Sequence, residues 1–127
     1  MAEQVAVLER REKVRLDTDR LVALVRELGA VEAEDMVSRS MEELAVRLSF
    51  TERQFRHGKR IEMRKSARAL VGIADQIGMN AVARVAGDVI ACADRGDETA
   101  LAAVLARLMR IGEGSLTAIW DLHDQPV

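Results

Sequence analysis

Apolar residues along this chain recur at steps of three and four, and strand-like alternation is hard to find. That period marks one face of an α-helix. Proline, which breaks helix interiors, occurs only at Pro126. The pattern predicts an all-α chain. Residues 3–15 form a charge-rich first segment with Val5, Leu8 and Val14 scattered through it. Asp17 is a good N-cap for a helix carrying Leu21, Leu24, Val25 and Leu28, an i, i+3, i+4, i+7 stripe. Gly29 stands where a left-handed C-terminal residue belongs. A long helix is expected from about Val31 to Arg56, with Val37, Met41, Leu44, Leu48 and Phe55 inward and Thr51 as the polar member. His57-Gly58 breaks it.

The next helix, about Lys59 to Ile77, carries Met63, Ala67, Leu70, Ala74 and Ile77, a 4-3-4-3 seam. Gly78 ends it. Asn80 is expected to cap the following helix, which buries Val82, Val85, Val89 and Cys92. Arg95-Gly96-Asp97 makes the next turn, with Asp97 as N-cap. The last helix carries Leu101, Val104, Leu105, Leu108, Ile111 and Ile119. Gly112 and Gly114 each weaken it by about 1 kcal/mol relative to alanine. A kink or fraying is expected there, and a loose tail after Leu122. Short turns imply antiparallel neighbours, hence an up-down four-helix bundle over about 31–122. The helices of about 3–28 form an N-terminal extension over one end or side. A length of 127 residues fits a single domain, 1–127.

Composition narrows the function. With two Phe, one Trp and no Tyr, the core must be aliphatic. The same scarcity removes the stacking platforms that single-stranded nucleic acid needs. A net charge of -2 gives no global drive toward nucleic acid. Arg53, Arg56, Lys59, Arg60, Arg64, Lys65 and Arg68 are a local basic excess, balanced by Glu52 and Glu62. No apolar run approaches 20 residues and no charged-then-apolar leader opens the chain, so a cytoplasmic home and no membrane partner are expected. Cys92, the one cysteine, is expected to be a small buried hydrophobe. No ligands show zinc spacing, and there is no Gly-rich phosphate loop or HExxH. Metal, cofactor and enzyme chemistry are therefore not expected. Glu32-Glu34-Asp35 and Glu42-Glu43 read as helix N-terminal and surface charges.

Residues 67–78, Ala-Arg-Ala-Leu-Val-Gly-Ile-Ala-Asp-Gln-Ile-Gly, resemble the phosphorylation helix of histidine-containing phosphotransfer (HPt) domains. These are the relay modules of two-component signalling. That family's pattern reads small-His-x-Leu-Lys-Gly-x-Ala, then a Gly a turn further on. Ala67, Leu70, Gly72, Ala74 and Gly78 keep it. Arg68 stands at the phospho-accepting histidine and Val71 at the usual lysine. The likeness spans about residues 16–119, including Leu16-Asp17, the Leu28-Gly29 stop and the Gly96-Asp97 turn. The resemblance implies an HPt-like bundle and a phosphorelay partner, either the receiver domain of a response regulator or a histidine kinase. It also implies a pseudo-phosphotransferase. A guanidinium stays cationic and has no free lone pair with which to accept a phosphoryl group.

At 100° per residue, Arg60, Arg64 and Arg68 form an i, i+4, i+8 basic row beside the apolar seam. Val71, Gly72 and Asp75 continue that flank. These six residues are the expected partner-binding face. The resemblance implies that Arg68 enters the carboxylate cluster of a receiver as a charge-assisted partner. On that reading Val71 adds apolar contact and Gly72 leaves room for the partner. The competing reading is a solvated helix face that contributes little. His57 offers a second route, an active phosphotransfer protein, with Arg56, Lys59 and Arg60 near it. It lies eleven residues before Arg68, roughly 16 Å along a continuous helix. His123 lies in the tail and has no expected role. A third reading is a structural helical module for dimerisation or scaffolding, in which the first segment pairs with a second chain as a homodimer.

Overall fold

The computed structural model describes residues 16–123. The segment expected over 3–15 and the tail beyond His123 lie outside the described residues. Five helices follow one another: α1 (Thr18–Leu28), α2 (Ala30–Arg56), α3 (Arg60–Gln76), α4 (Asn80–Arg95) and α5 (Glu98–His123). Among the described residues there is no strand. Asp17 caps α1 by accepting the Arg20 N–H at 3.1 Å, and Asp97 caps α5 through the Ala100 N–H at 3.1 Å. Asn80 is not a cap: Met79 holds that position, and the Asn80 amide donates instead to the Asp17 carboxylate at 3.4 Å.

Three-residue connections join α2 to α3 and α3 to α4, and two residues join α4 to α5. Each of these helices packs against the next, and α5 returns to α2. Such short turns leave only antiparallel packing. The result is a closed ring of four helices. Met63, Ala67, Leu70, Ala74 and Ile77 of the α3 seam are fully buried, against Leu44, Val82, Val85, Val89, Leu101 and Leu108 among others. A polar pair lies within this aliphatic core, where Ser40, Gln54 and Ser115 are also buried. The Thr51 and Ser66 hydroxyls lie 2.7 Å apart, and both reach the Arg47 carbonyl, at 2.7 and 3.3 Å. Every buried side-chain polar atom among the described residues has a partner, so the core carries no unsatisfied polar group. Cys92 is buried, in accord with its apolar setting.

The α1 helix lies at one end of the ring, clipped to the α3–α4 turn. The Asp17 N–H donates to the Gly78 carbonyl at 2.8 Å and Arg20 Nε to the Gln76 carbonyl at 3.1 Å. Gly78 is required here twice over. Its φ is +76°, and a Cβ there would sit 2.7 Å from the Asp17 carbonyl oxygen.

Three further sequence expectations need correcting. First, Val25 and Leu28 do not face the core: they are 46% and 38% exposed, and only Leu24 of α1 is buried. A single helix laid on one surface can bury only one side. Second, Gly29 has φ 83° but ψ 161°, so it is not a left-handed helical cap but an extended link that leads directly into α2. Third, the helix does not fray at Gly112, since α5 runs unbroken past it. A Cβ at Gly112 would lie 2.6 Å from Leu48 Cδ1, so the glycine lets α5 approach α2 closely.

Candidate functional site: the outer face of α3

The basic row on α3 does not behave as one surface. Arg60 and Arg64 are half-buried and spent on neighbouring helices. Arg60 Nε donates to Glu98 at 3.1 Å, a second N–H reaches the same carboxylate, and Nη1 donates to the Phe55 carbonyl at 3.2 Å. Its guanidinium also lies over the Phe55 ring, 4.8 Å from the centroid. Arg64 grips Asp94 with two parallel bonds, Nε to Oδ1 at 2.7 Å and Nη2 to Oδ2 at 3.1 Å. This is the fork geometry that suits guanidinium and carboxylate. The Arg64 hydrogen bond holds the Asp94 carboxyl below the usual carboxylate range, with smaller help from the charges of Arg64 and Arg68. The bond from Arg60 does the same for Glu98. Asp94 in turn raises the Arg64 guanidinium. These contacts tie α3 to α4 and to the start of α5.

Arg68 is different. It is exposed, and it makes no hydrogen bond or ion pair with any described residue. Four positions on, Gly72 is exposed and has nothing within 4 Å of where a Cβ would lie. Val71 is half-buried at the edge of the core, and Asp75 is exposed.

Antiparallel register places the α4 residues opposite. Arg64 and Asp94 are partners, so seven residues on from Arg64 is level with seven back from Asp94. Val71 is thus level with Gly87, a second glycine with nothing within 4 Å of its Cβ position. By the same register Arg68 is level with Ile90, which is half-buried. Around Arg68 the surface is a low saddle. Gly72 and Gly87 supply no side chain, and Val71 and Ile90 supply an apolar floor. Ile61 stands on the Arg68 face two turns earlier, about 10 Å along the axis, and is 69% exposed.

Of the residues expected to form one face, the structure leaves Arg68, Gly72 and Asp75 open to solvent, with Val71 at the edge. Arg60 and Arg64 are committed inside the fold. His57 is exposed in the α2–α3 turn, before α3 begins. Of the cations near it, Arg56 pairs with Glu52 at 3.6 Å and Arg60 with Glu98. The sequence reading missed Asp94, Glu98, Gly87 and Ile61. The first two carry a legible signal: Arg64 and Asp94, and likewise Arg60 and Glu98, are equidistant from the turn residue Met79. Any antiparallel hairpin centred there brings them level.

Among the described residues no cluster of His, Cys, Asp or Glu could hold a metal ion, and no helix is long and apolar enough to cross a membrane. Compared with protein-family models, curated proteins and solved structures, the chain matches none.

Proposed function

We propose that this protein is an HPt-like module without phosphotransfer activity, which binds the receiver domain of a response regulator through the saddle centred on Arg68. The observation that carries the reading is the division of labour along α3. Two arginines of the row are consumed by interhelical pairs, and the third is left free where two glycines clear the surface around it. A buried or paired arginine has a structural reason to be present. Arg68 is neither buried nor directly paired among the described residues, and its charge only adds to that of Arg64 in lowering the Asp94 carboxyl. The order of small and apolar residues around it resembles the HPt phosphorylation helix, with the guanidinium in place of the imidazole.

The chemistry is that of a charge-assisted contact. A receiver presents a carboxylate cluster in a recess with an apolar rim. Arg68 projects into the recess and pairs with a carboxylate. Val71 and Ile90 meet the rim, and Gly72 and Gly87 let the partner backbone come close. The protein then occupies the surface that a working relay module uses, and acts as a competitor. Titration of the purified chain into a panel of receiver domains tests this, together with incubation with the same receivers after phosphorylation with labelled acetyl phosphate. Saturable binding to at least one receiver, without transfer of label to this chain, is the expected result. Acid-labile phosphate on α3 or on His57 would replace the reading with an active relay. The absence of binding across the panel would end it.

A further inference from the structure

Four of the exposed large apolar residues are consecutive in one region: Val22, Val25 and Leu28 on α1, and Val31, 81% exposed, at the start of α2. No other part of the described surface gathers so many. Asp19, Val22 and Arg26 lie on the outward side of α1, opposite the buried Leu24, with Ala23 and Val25 on its two flanks. Along that side Val22 and Ala23 are central, with Asp19 one turn toward the N-terminus and Arg26 one turn toward the C-terminus. Neither Asp19 nor Arg26 makes a hydrogen bond or ion pair with any described residue. A shallow groove of about 350 Å³ runs past Asp19, Val22, Ala23, Arg26 and Glu27.

This arrangement reads the same under a two-fold axis. When α1 is laid antiparallel on α1 of a second molecule, with Val22 against Ala23, the Asp19 carboxylate of each chain meets the Arg26 guanidinium of the other. One apolar centre and two opposite-charge pairs at its ends make a self-complementary contact. We infer that the outward face of α1 is an isologous docking surface for a second copy of this chain. The charges of Asp19 and Arg26 also suit the helix dipole. That accounts for their signs but not for two exposed valines between them. The occupant is a second copy because the charge order, acidic then apolar then basic, is its own complement. The contact is one short helix per chain, so the dimer belongs to the weak, concentration-dependent class. It forms at the end of the bundle, where α1 is clipped to the α3–α4 turn, and is independent of Arg68.

Sedimentation velocity of the full chain across a concentration series, up to about 100 μM, is the test. The wild type should shift from monomer to dimer within that range. Arg26→Asp sets like charges against each other at both ends and should weaken the dimer about tenfold or more. Asp19→Arg should do the same. The double variant D19R/R26D exchanges the signs and should restore association, as should an equimolar mixture of the two single variants. Val22→Glu should give monomer with unchanged helix content. A wild type that is monomeric throughout the range would overturn the inference. So would a dimer insensitive to Val22→Glu, or one that the double charge exchange fails to restore.

Discussion

The inner and outer sides of α3 were read from the same helix by the same periodicity, and they turned out differently. On the inner side, Met63, Ala67, Leu70, Ala74 and Ile77 follow 4-3-4-3 spacing and all five are fully buried. On the outer flank, Arg60, Arg64 and Arg68 follow an equally regular spacing, yet they do three different things. Arg60 closes α3 onto Glu98 and Phe55, Arg64 closes it onto Asp94, and Arg68 closes it onto nothing described. The difference lies in what each interaction requires. Apolar burial is non-directional and needs only a surface to be covered. A guanidinium needs a particular carboxylate at a particular distance, and that carboxylate is on another helix.

The largest effect should come from the inner side. Leu70 is fully buried mid-seam, so Leu70→Ala should destabilise the fold by about 2–5 kcal/mol, read by chemical denaturation. A loss under about 1 kcal/mol would mean that the seam collapses around the gap, and would weaken the contrast between the two sides.

Gly72 sharpens the contrast, because the outer side should respond with the opposite sign. A methyl there meets nothing within 4 Å, and Gly72 lies inside a helix. Gly72→Ala should therefore stabilise the fold by about 0.5–1 kcal/mol. The same methyl stands in the saddle and should weaken receiver binding. Higher stability together with weaker binding separates a surface kept clear for a partner from one that is merely unoccupied.

A smaller effect is expected from Arg64→Ala. The Arg64–Asp94 pair is solvent-accessible, so its removal should lower the melting temperature slightly, and less in high salt. The pH dependence fixes the sign. Asp94 has its carboxyl pKa lowered in the folded state, so the pair stabilises the protein above the ordinary carboxylate range. That stabilisation is lost as pH falls through the lowered value. The melting curves of wild type and Arg64→Ala should differ at neutral pH and converge in acid. A difference that persists in acid would show that the arginine acts through packing of its stem.

Most of the helical layout was legible in the sequence, because helix period and turn residues are local signals. Asp17 and Asp97 act as caps as expected, and Gly58, Gly78 and Gly96 fall in the turns with positive φ. What was not legible depends on contacts distant in sequence. Val25 and Leu28 continue the α1 stripe, yet they stay outside because α1 lies on the bundle by one face only. Gly112 looked like a helix defect, and its reason is Leu48, sixty-four residues earlier. The site was half legible. The position of Arg68 beside Gly72 could be read along one helix. Its isolation from its own row could not, since that depends on Asp94 and Glu98 capturing Arg64 and Arg60.

The central claim is that Arg68 is the one arginine of the row available to a partner. Isothermal titration of a binding receiver domain with wild type, Arg68→Ala and Arg68→Glu tests it most directly, with thermal melts of all three alongside. The account predicts melts close to one another, because Arg68 has no hydrogen bond or ion pair among the described residues to lose and its pull on exposed Asp94 is screened by solvent. It predicts affinity weakened by about 1–3 kcal/mol for Arg68→Ala, the scale of a lost charge-assisted hydrogen bond. Arg68→Glu should be weaker still, since it brings a carboxylate to a carboxylate cluster. A receiver that binds Arg68→Glu as tightly as wild type would contradict the account and place the docking face elsewhere on the molecule.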